Sequence, residues 1–350
     1  MLANPQTPPP PTLADEVAFL SGPGAHGGAA PVARRETHMS WLFFMDGDVL
    51  KLKKPVRFPY LDFSTLARRE AACRAEVTLN QRLAPEIYLG VTPLRLGVGG
   101  LSLGGEGETV DWLVHMRRFD QSRTLEARLM TGAVPDAELD ALAELLARFY
   151  RQAPRVRLTP ETYLARLRAG LAYHRRVLLE PRLGLAGGRA RQVLAVLARF
   201  IRVRASMLAG RVRAGRILEA HGDLRPEHVY LGPPLKIIDR LEFSPSLRAV
   251  DPLDELAFLD LEVERLGYPE VGARIARRVA AALYDCAPPE LYLFYRCYRA
   301  TLRARLAIAH LLEPDPRTPE KWPAQARVYL AIAARDARRL AVLLTRPGGR

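Results

Sequence analysis

The sequence predicts an α+β chain in two parts, a small mixed sheet followed by a large helical region. Three features carry that expectation. From about residue 36 to 118, short apolar or alternating runs are separated by turn residues and a single helical stretch. Beyond residue 118, apolar residues recur at helical spacing in segment after segment. One pair of short apolar runs, "VYL" and "KII", interrupts those helices.

At 350 residues the chain can bury a sizeable core as one large bilobal unit. "NPQTPPPPT" and "SGPGAHGGAAPVA" mark residues 1–35 as a flexible Pro/Gly-rich segment, with "LADEVAFL" able to form a short helix inside it. Order is expected near Glu36. "THMSWLFF" and "DVLKLKK" read as two strands joined at Asp46-Gly47. "LDFSTLARREAACRAEVTLNQRLAP" reads as a helix capped by Ser64 or Asp62 and ended at Pro85, with Leu66, Ala72, Val77 and Leu79 as apolar positions. "IYLGVTPLRLGV" and "TVDWLVHMRRF" supply further strands, and the Gly-rich "GVGGLSLGGEGE" between them reads as a loop.

Residues 119–345 then form the helical part. "PDAELDALAELLARFYRQ", "TPETYLARLRAGLAYHRRVLL" and "RARQVLAVLARFIRVRASMLAGRVR" are amphipathic, the last with Val193, Val196, Leu197, Phe200 and Ile201 on one stripe. Helices resume after the short runs, through "DPLDELAFLDLEVERLG", "ARIARRVAAALY", "LYLFYRCYRATLRARLAIAHLL" and "PAQARVYLAIAARDARRLAVLL". A cleft between the two parts is the expected ligand site.

A formal net charge of +14 raises the question of nucleic acid. The basic residues are spread along helical faces, which favours a solvated surface and disfavours a nucleic-acid partner. Only five of the 52 basic residues are lysines, yet Lys51, Lys53 and Lys54 fall together. In so arginine-rich a chain, such a cluster points to a need for compact ammonium groups. The three cysteines lack metal-ligand spacing, and neither a signal peptide nor a membrane span is evident, so a cytoplasmic protein is expected.

The chemistry gathers in "HGDLRPEHVYL" and "KIIDRLEF". Two aspartates, Asp223 and Asp239, stand at the edges of the short runs, where one can orient a hydroxyl and the other hold a cation. Phosphoryl transfer from a nucleotide needs both, with a cation on the phosphates.

"HGDLRPEHVYL…IIDRLEF…VDPLDELAFL" resembles the aminoglycoside phosphotransferase and choline kinase branch of the protein-kinase-like fold, whose catalytic loop usually reads His-Gly-Asp-Leu-His-x-x-Asn. "ETHMSWLFF", "LKLKKPV" and "LDFSTLARREAACRAEVTLNQRLAPEIYLGVTPL" resemble a bacterial group of aminoglycoside-phosphotransferase-like proteins. The resemblance implies a bilobal protein-kinase-like fold, a nucleotide-binding small lobe over residues 36–118, and a kinase using ATP, or alternatively GTP, with Mg2+ on a small-molecule acceptor. It implies Asp223 as catalytic residue, His221 as loop organiser and Asp239 as metal ligand. Lys51 matches the phosphate-holding lysine, with Lys53 as rival; Glu76 is its helix partner, ahead of Glu70. The backbone of His115, Met116 and Arg117 would meet the purine.

The chain departs from that pattern at three places. His228 stands where asparagine is usual, and imidazole is a poorer Mg2+ ligand than a hard oxygen. Single-metal chemistry, a changed metal preference, or a kinase-like protein that only binds nucleotide or protein are the alternatives. Arg225 replaces a histidine and could meet a phosphate or anionic substrate. No Gly-rich cover follows the first strand, leaving "ETHMS" in its place. Asp251, Asp254 and Glu255 are expected to support the catalytic loop, Asp254 equally as a helix cap.

Overall fold

The computed structural model describes residues 10–27, 32–58, 60–185, 187–313, 316 and 318–345. The expected tail at 1–9 and part of the soft segment at 28–31 lie outside the described residues. The chain divides into two compact units, Met1–Gln121 with Lys236–Pro245, and Ser122–Leu235 with Ser246–Arg350.

The N-terminal unit contains α1 (Leu13–Ser21), β1 (Ala33–Glu36), β2 (Ser40–Phe44), β3 (Asp48–Lys53), β4 (Arg57–Phe58), β5 (Leu61–Asp62), α2 (Leu66–Asn80), β6 (Tyr88–Gly97), β7 (Gly100–Leu103) and β8 (Glu108–Arg117). Six strands form one sheet in the order β1-β2-β3-β8-β6-β7, antiparallel throughout. The β2–β3 turn closes as expected, with Met45 N–H donating to Asp48 O at 2.9 Å.

The alternation of β3 decides what each sheet face carries. Leu50 and Leu52 are buried with Phe43, Leu94 and Leu113, and Val17 and Leu20 of α1 complete that cluster. Lys51 and Lys53 point to the opposite face, where Cys73 and Val77 of α2 pack with Ile87, Tyr88 and Val114. A leucine buried this fully contributes about 1.5–3 kcal/mol. The short helix expected in "LADEVAFL" forms as α1 and covers the leucine face. Thr12 caps it in a reciprocal box with Asp15.

Other elements differ from expectation. The Gly-rich stretch is not wholly loop: Gly97 pairs with Gly100, so Val98-Gly99 is a two-residue hairpin and β7 lies on the sheet edge. Gly107 closes the next turn at φ 122°, where a Cβ would fall 2.5 Å from Leu96 O. Helix α2 is capped by Thr65, whose side chain accepts from Arg68 N, while Asp62 accepts from Ser64. It ends at Asn80, before Pro85.

In the C-terminal unit come α3 (Leu125–Thr131), α4 (Asp136–Gln152), α5 (Pro160–Leu178), α6 (Gly187–Val203), α7 (Ala205–Arg213), β9 (Leu218–Glu219) and β10 (Val229–Tyr230). After β11 (Lys236–Ile237) and α8 (Pro245–Arg248) follow β12 (Ala249–Val250), α9 (Pro252–Arg265), α10 (Pro269–Ala282), α11 (Pro289–Ala309) and α12 (Lys321–Thr345). The single helix expected over 189–213 is two, broken at Arg204, whose φ of −108° and ψ of 24° leave the helical range. Val193, Leu197, Phe200 and Ile201 are buried as expected, and Val196 only partly. The sheet ends with β8 at Arg117, and the segment 236–245 groups with the N-terminal unit, its backbone bonding Asn80 of α2, Leu83 and Tyr88.

Candidate active site

In the N-terminal unit β3 and α2 face each other through an ionic grid. Lys51 Nζ lies 2.8 Å from Glu76 Oε1 and 3.3 Å from Asp239 Oδ1. Lys53 Nζ lies 2.6 Å from Glu76 Oε2 and 2.5 Å from Glu242 Oε1, with the Phe63 ring centroid 4.9 Å away. Glu76 gives one oxygen to each of Lys51 and Lys53. Glu70 instead pairs with Arg74 on the exposed face of α2.

Burial opposes charge on Lys51, but the carboxylates of Glu76, Asp239 and Glu242 outweigh it and hold the ammonium well above its ordinary range. Burial likewise penalises the Glu76 carboxylate, and the two lysines overcome it, so its pKa is lowered. For Glu242 burial wins, reinforced by Glu76, and the pKa is raised.

Asp239 is held at its backbone. Its φ is 61°, a left-handed conformation that aspartate tolerates better than most residues, and its N–H donates to Tyr88 Oη at 3.0 Å. Asn80 at the end of α2 bonds Arg240 reciprocally, accepting from its N–H at 2.8 Å and donating to its carbonyl at 3.3 Å. The Asp239 side chain stays 45 % exposed. A half-exposed carboxylate beside a lysine fits a hard divalent cation and the phosphates it accompanies, since Mg2+ takes oxygen donors.

The turn carrying "ETHMS" is fastened by its own residues: Ser40 N–H donates to Thr37 Oγ1 at 3.0 Å, and Lys54 Nζ donates to Thr37 O and pairs with Glu36. His115 and Met116 lie mid-sheet, where Leu50 and Val49 of β3 flank them on one side and Gly90 and Tyr88 of β6 on the other. Arg117 N–H donates to Ile87 O at 2.7 Å. Ladder bonds occupy the backbone of this stretch. His115 Nε2 sits 2.7 Å from Asp48 Oδ2.

The C-terminal unit carries the His221–Gly222–Asp223 loop after β9. Glu255 in the first turn of α9 braces it: Oε2 accepts from His221 N–H at 3.1 Å and from Tyr150 Oη at 2.8 Å, and Oε1 accepts from Gly222 N–H at 2.6 Å. Burial pushes the Glu255 carboxyl up against these donors. Gly222 has φ 90°, a conformation a side chain would strain. Asp251 caps α9 and pairs with Arg211, while Asp254 pairs with Arg299.

Asp223 is 25 % exposed at its side chain, with Arg225 Nε 3.0 Å from Oδ2. Arg225 also bonds Glu227 at 2.5 Å and His228 Nε2 at 3.2 Å. His228 Nδ1 lies 2.8 Å from the Asp223 carbonyl, so both ring nitrogens have protein partners. For imidazole to ligate a metal here, Arg225 would have to leave Nε2.

Sequence reasoning missed Glu242, Asn80, Tyr88 and Tyr150. Glu242 lay within the quoted motif, three residues after Asp239; the other three had no signal, because their partners are remote in sequence.

No family model matches the chain. Curated proteins of Mycobacterium bovis and Mycobacterium tuberculosis, named only as uncharacterised, are 32 % identical over 325 residues, covering 90 % of this chain and 61 % of theirs. The chain thus spans about three-fifths of the length of the curated relatives it matches. Among solved structures, a thermostable mutant of the aminoglycoside phosphotransferase APH(4)-Ia is similar with TM-score 0.53 at 13 % identity, covering 89 % of this chain and 96 % of that one. Plasmodium vivax ethanolamine kinase is similar with TM-score 0.51 at 10 % identity, covering 86 % and 81 %. At such identities the likeness is one of fold: the chain has the α+β protein-kinase-like fold of small-molecule phosphotransferases.

Proposed function

We propose that this protein transfers the terminal phosphoryl group of ATP, or of GTP, to a hydroxyl of a small molecule. Lys51, held by Glu76, meets the nucleotide phosphates, and Asp239 is the carboxylate for Mg2+, which when bound would neutralise phosphate charge. Asp223 orients the acceptor hydroxyl and takes its proton as the new phosphorus–oxygen bond forms and the bond to the nucleoside diphosphate breaks. His221, through its backbone bond to Glu255, holds the loop. Arg225 sets the Asp223 carboxylate and can swing to phosphate; His228 then becomes available to the metal. The purine edge is assigned to the backbone following Arg117.

One observation carries this reading: Lys51 Nζ meets both Glu76 and Asp239, the latter 188 residues away in sequence. The shared fold with an aminoglycoside phosphotransferase and an ethanolamine kinase supports it. ATP turnover against a panel of hydroxylated metabolites tests it, wild type against Asp223→Ala. Phosphorylated product that disappears in the variant is expected; turnover unchanged by the substitution removes the mechanism.

A second reading is a nucleotide-binding protein that transfers nothing. The occupied Asp223 carboxylate, 3.0 Å from Arg225, favours it. Mg2+-dependent nucleotide binding without turnover on any acceptor would select it.

A further inference from the structure

Besides the Lys51–Asp239 pair and the Ile237 N–H bond to Leu83 O, three contacts among the described residues fasten the segment that carries Asp239. Tyr88 Oη takes the Asp239 N–H, Asn80 pairs with the Arg240 backbone, and the Glu242 carboxylate meets Lys53. The third point differs in kind. Lys53 already has a buried carboxylate partner in Glu76, at 2.6 Å, so charge balance for Lys53 alone does not call for Glu242. Glu242 sits between Leu241 and Phe243, and Phe243 packs beside Leu61, Phe63 and Ala72. Packed apolar residues at both 242 and 53 would extend that packing, and replacing a whole buried ion pair in this way is commonly neutral or stabilising. A carboxylate kept there therefore calls for a role other than stability.

The connectivity supplies one. Glu242, Lys53, Glu76, Lys51 and Asp239 form an unbroken chain of charge-assisted bonds, which begins and ends on one short segment. Fixing Glu242 fixes where Asp239 stands relative to Lys51.

We propose that Glu242 is a positioning residue: through Lys53 and Glu76 it presets Asp239 against Lys51 before any nucleotide binds, so that the metal-holding carboxylate needs no rearrangement of α2 or of residues 239–242. This rests on the reading of Asp239 and Lys51 given under Proposed function. It also sets Lys53 apart from Lys51. Lys51, 16 % exposed at its side chain, is the lysine a ligand reaches; Lys53, at 1 %, works from inside.

The experiment uses Mn2+ and ADP on the full chain. A Lys53→Met/Glu242→Gln double variant removes one positive and one negative charge, leaving Lys51 with Glu76 and Asp239. Mn2+ affinity of the ADP-bound protein, read by electron paramagnetic resonance, is expected to fall by about tenfold or more, the range seen when groups that orient metal ligands are removed. ADP affinity without metal should stay unchanged, a split that loss of general stability would not produce. Unchanged Mn2+ affinity in a folded double variant overturns the proposal.

Should the double variant not fold, Glu242→Gln alone, which keeps shape and a hydrogen-bonding group, is read by amide exchange. In the wild type the Asp239 and Arg240 amides should be as protected without ADP as with it, and less protected in the variant. Protection that appears only with ADP overturns the presetting. Failure of the wild type to bind ADP or Mn2+ at all overturns the nucleotide reading itself, an outcome distinct from the others.

Discussion

The two charged clusters of this protein are built to opposite specifications. In the N-terminal unit, two lysines and two glutamates are removed from water almost entirely, with side-chain exposures of 16 % for Lys51 and at most 9 % for Lys53, Glu76 and Glu242. In the C-terminal unit, Asp223, Arg225 and Glu227 remain between 21 % and 30 % exposed, around a backbone held by the buried Glu255. Compact ammonium groups fit the first setting, where each nitrogen must serve two carboxylates. A guanidinium fits the second, spreading its donors over Asp223, Glu227 and His228. Charge therefore shapes the architecture in one unit, and in the other is carried on a backbone that hydrogen bonds have already shaped.

The largest contrast should appear on removing one cation from each cluster. Lys53→Met leaves Glu76 and Glu242 buried with too little positive charge, and should lower unfolding free energy by about 3–5 kcal/mol. Arg225→Met, at a part-exposed site, should cost about 1 kcal/mol or less. Urea titration of the two variants measures both, and equal losses would break the comparison.

Glu255→Gln comes next. Its carboxylate accepts three donors, and an amide can accept only through its single oxygen, leaving a buried donor opposed to another; about 1–3 kcal/mol is the expected loss. Nucleotide affinity should not change, because Lys51 and Asp239 belong to the other unit. Weakened nucleotide binding in this variant would show that the two clusters are not separable.

The last contrast concerns the far side of the sheet and is read as a pH profile. Glu16 of α1 is pushed up to about 8 by burial and by Asp111, against the pull of Arg69, with Asp15 adding slightly. The folded state thus favours the protonated acid: its stability is full below the ordinary carboxylate range and is lost as pH rises towards about 8. Glu76, whose pKa is lowered, acts in the opposite sense, with stability lost only as pH falls below about 4.5. Glu16→Gln should flatten the decline in urea midpoint between about pH 4.5 and about pH 8, while leaving the acid limb below it in place. A wild-type profile already flat there would contradict the assignment.

Much of this was legible before any coordinates. The alternation in "DVLKLK" sends both lysines to one face, whereas Glu76 was implied by the family resemblance of the helix that carries it and not by period. The sequence could not say that Glu76 serves both lysines, because a carboxylate's second partner leaves no periodic trace. The helix in "LADEVAFL" was legible, but not that it covers Leu50 and Leu52, because the proline-rich and glycine-rich stretches around it argued for a segment free of the sheet. Braces such as Tyr150 and Asn80 are ordinary residues made special only by tertiary placement, 105 and 160 residues from their partners.

The most direct test is calorimetric titration of a non-hydrolysable ATP analogue, with and without Mg2+, into the wild type, Lys51→Met, Asp239→Asn and Asp223→Ala. Saturable binding is expected that is lost in Lys51→Met, loses only its Mg2+ dependence in Asp239→Asn, and is retained in Asp223→Ala. Absence of binding in the wild type, or binding that Lys51→Met and Asp239→Asn leave untouched, would contradict the account.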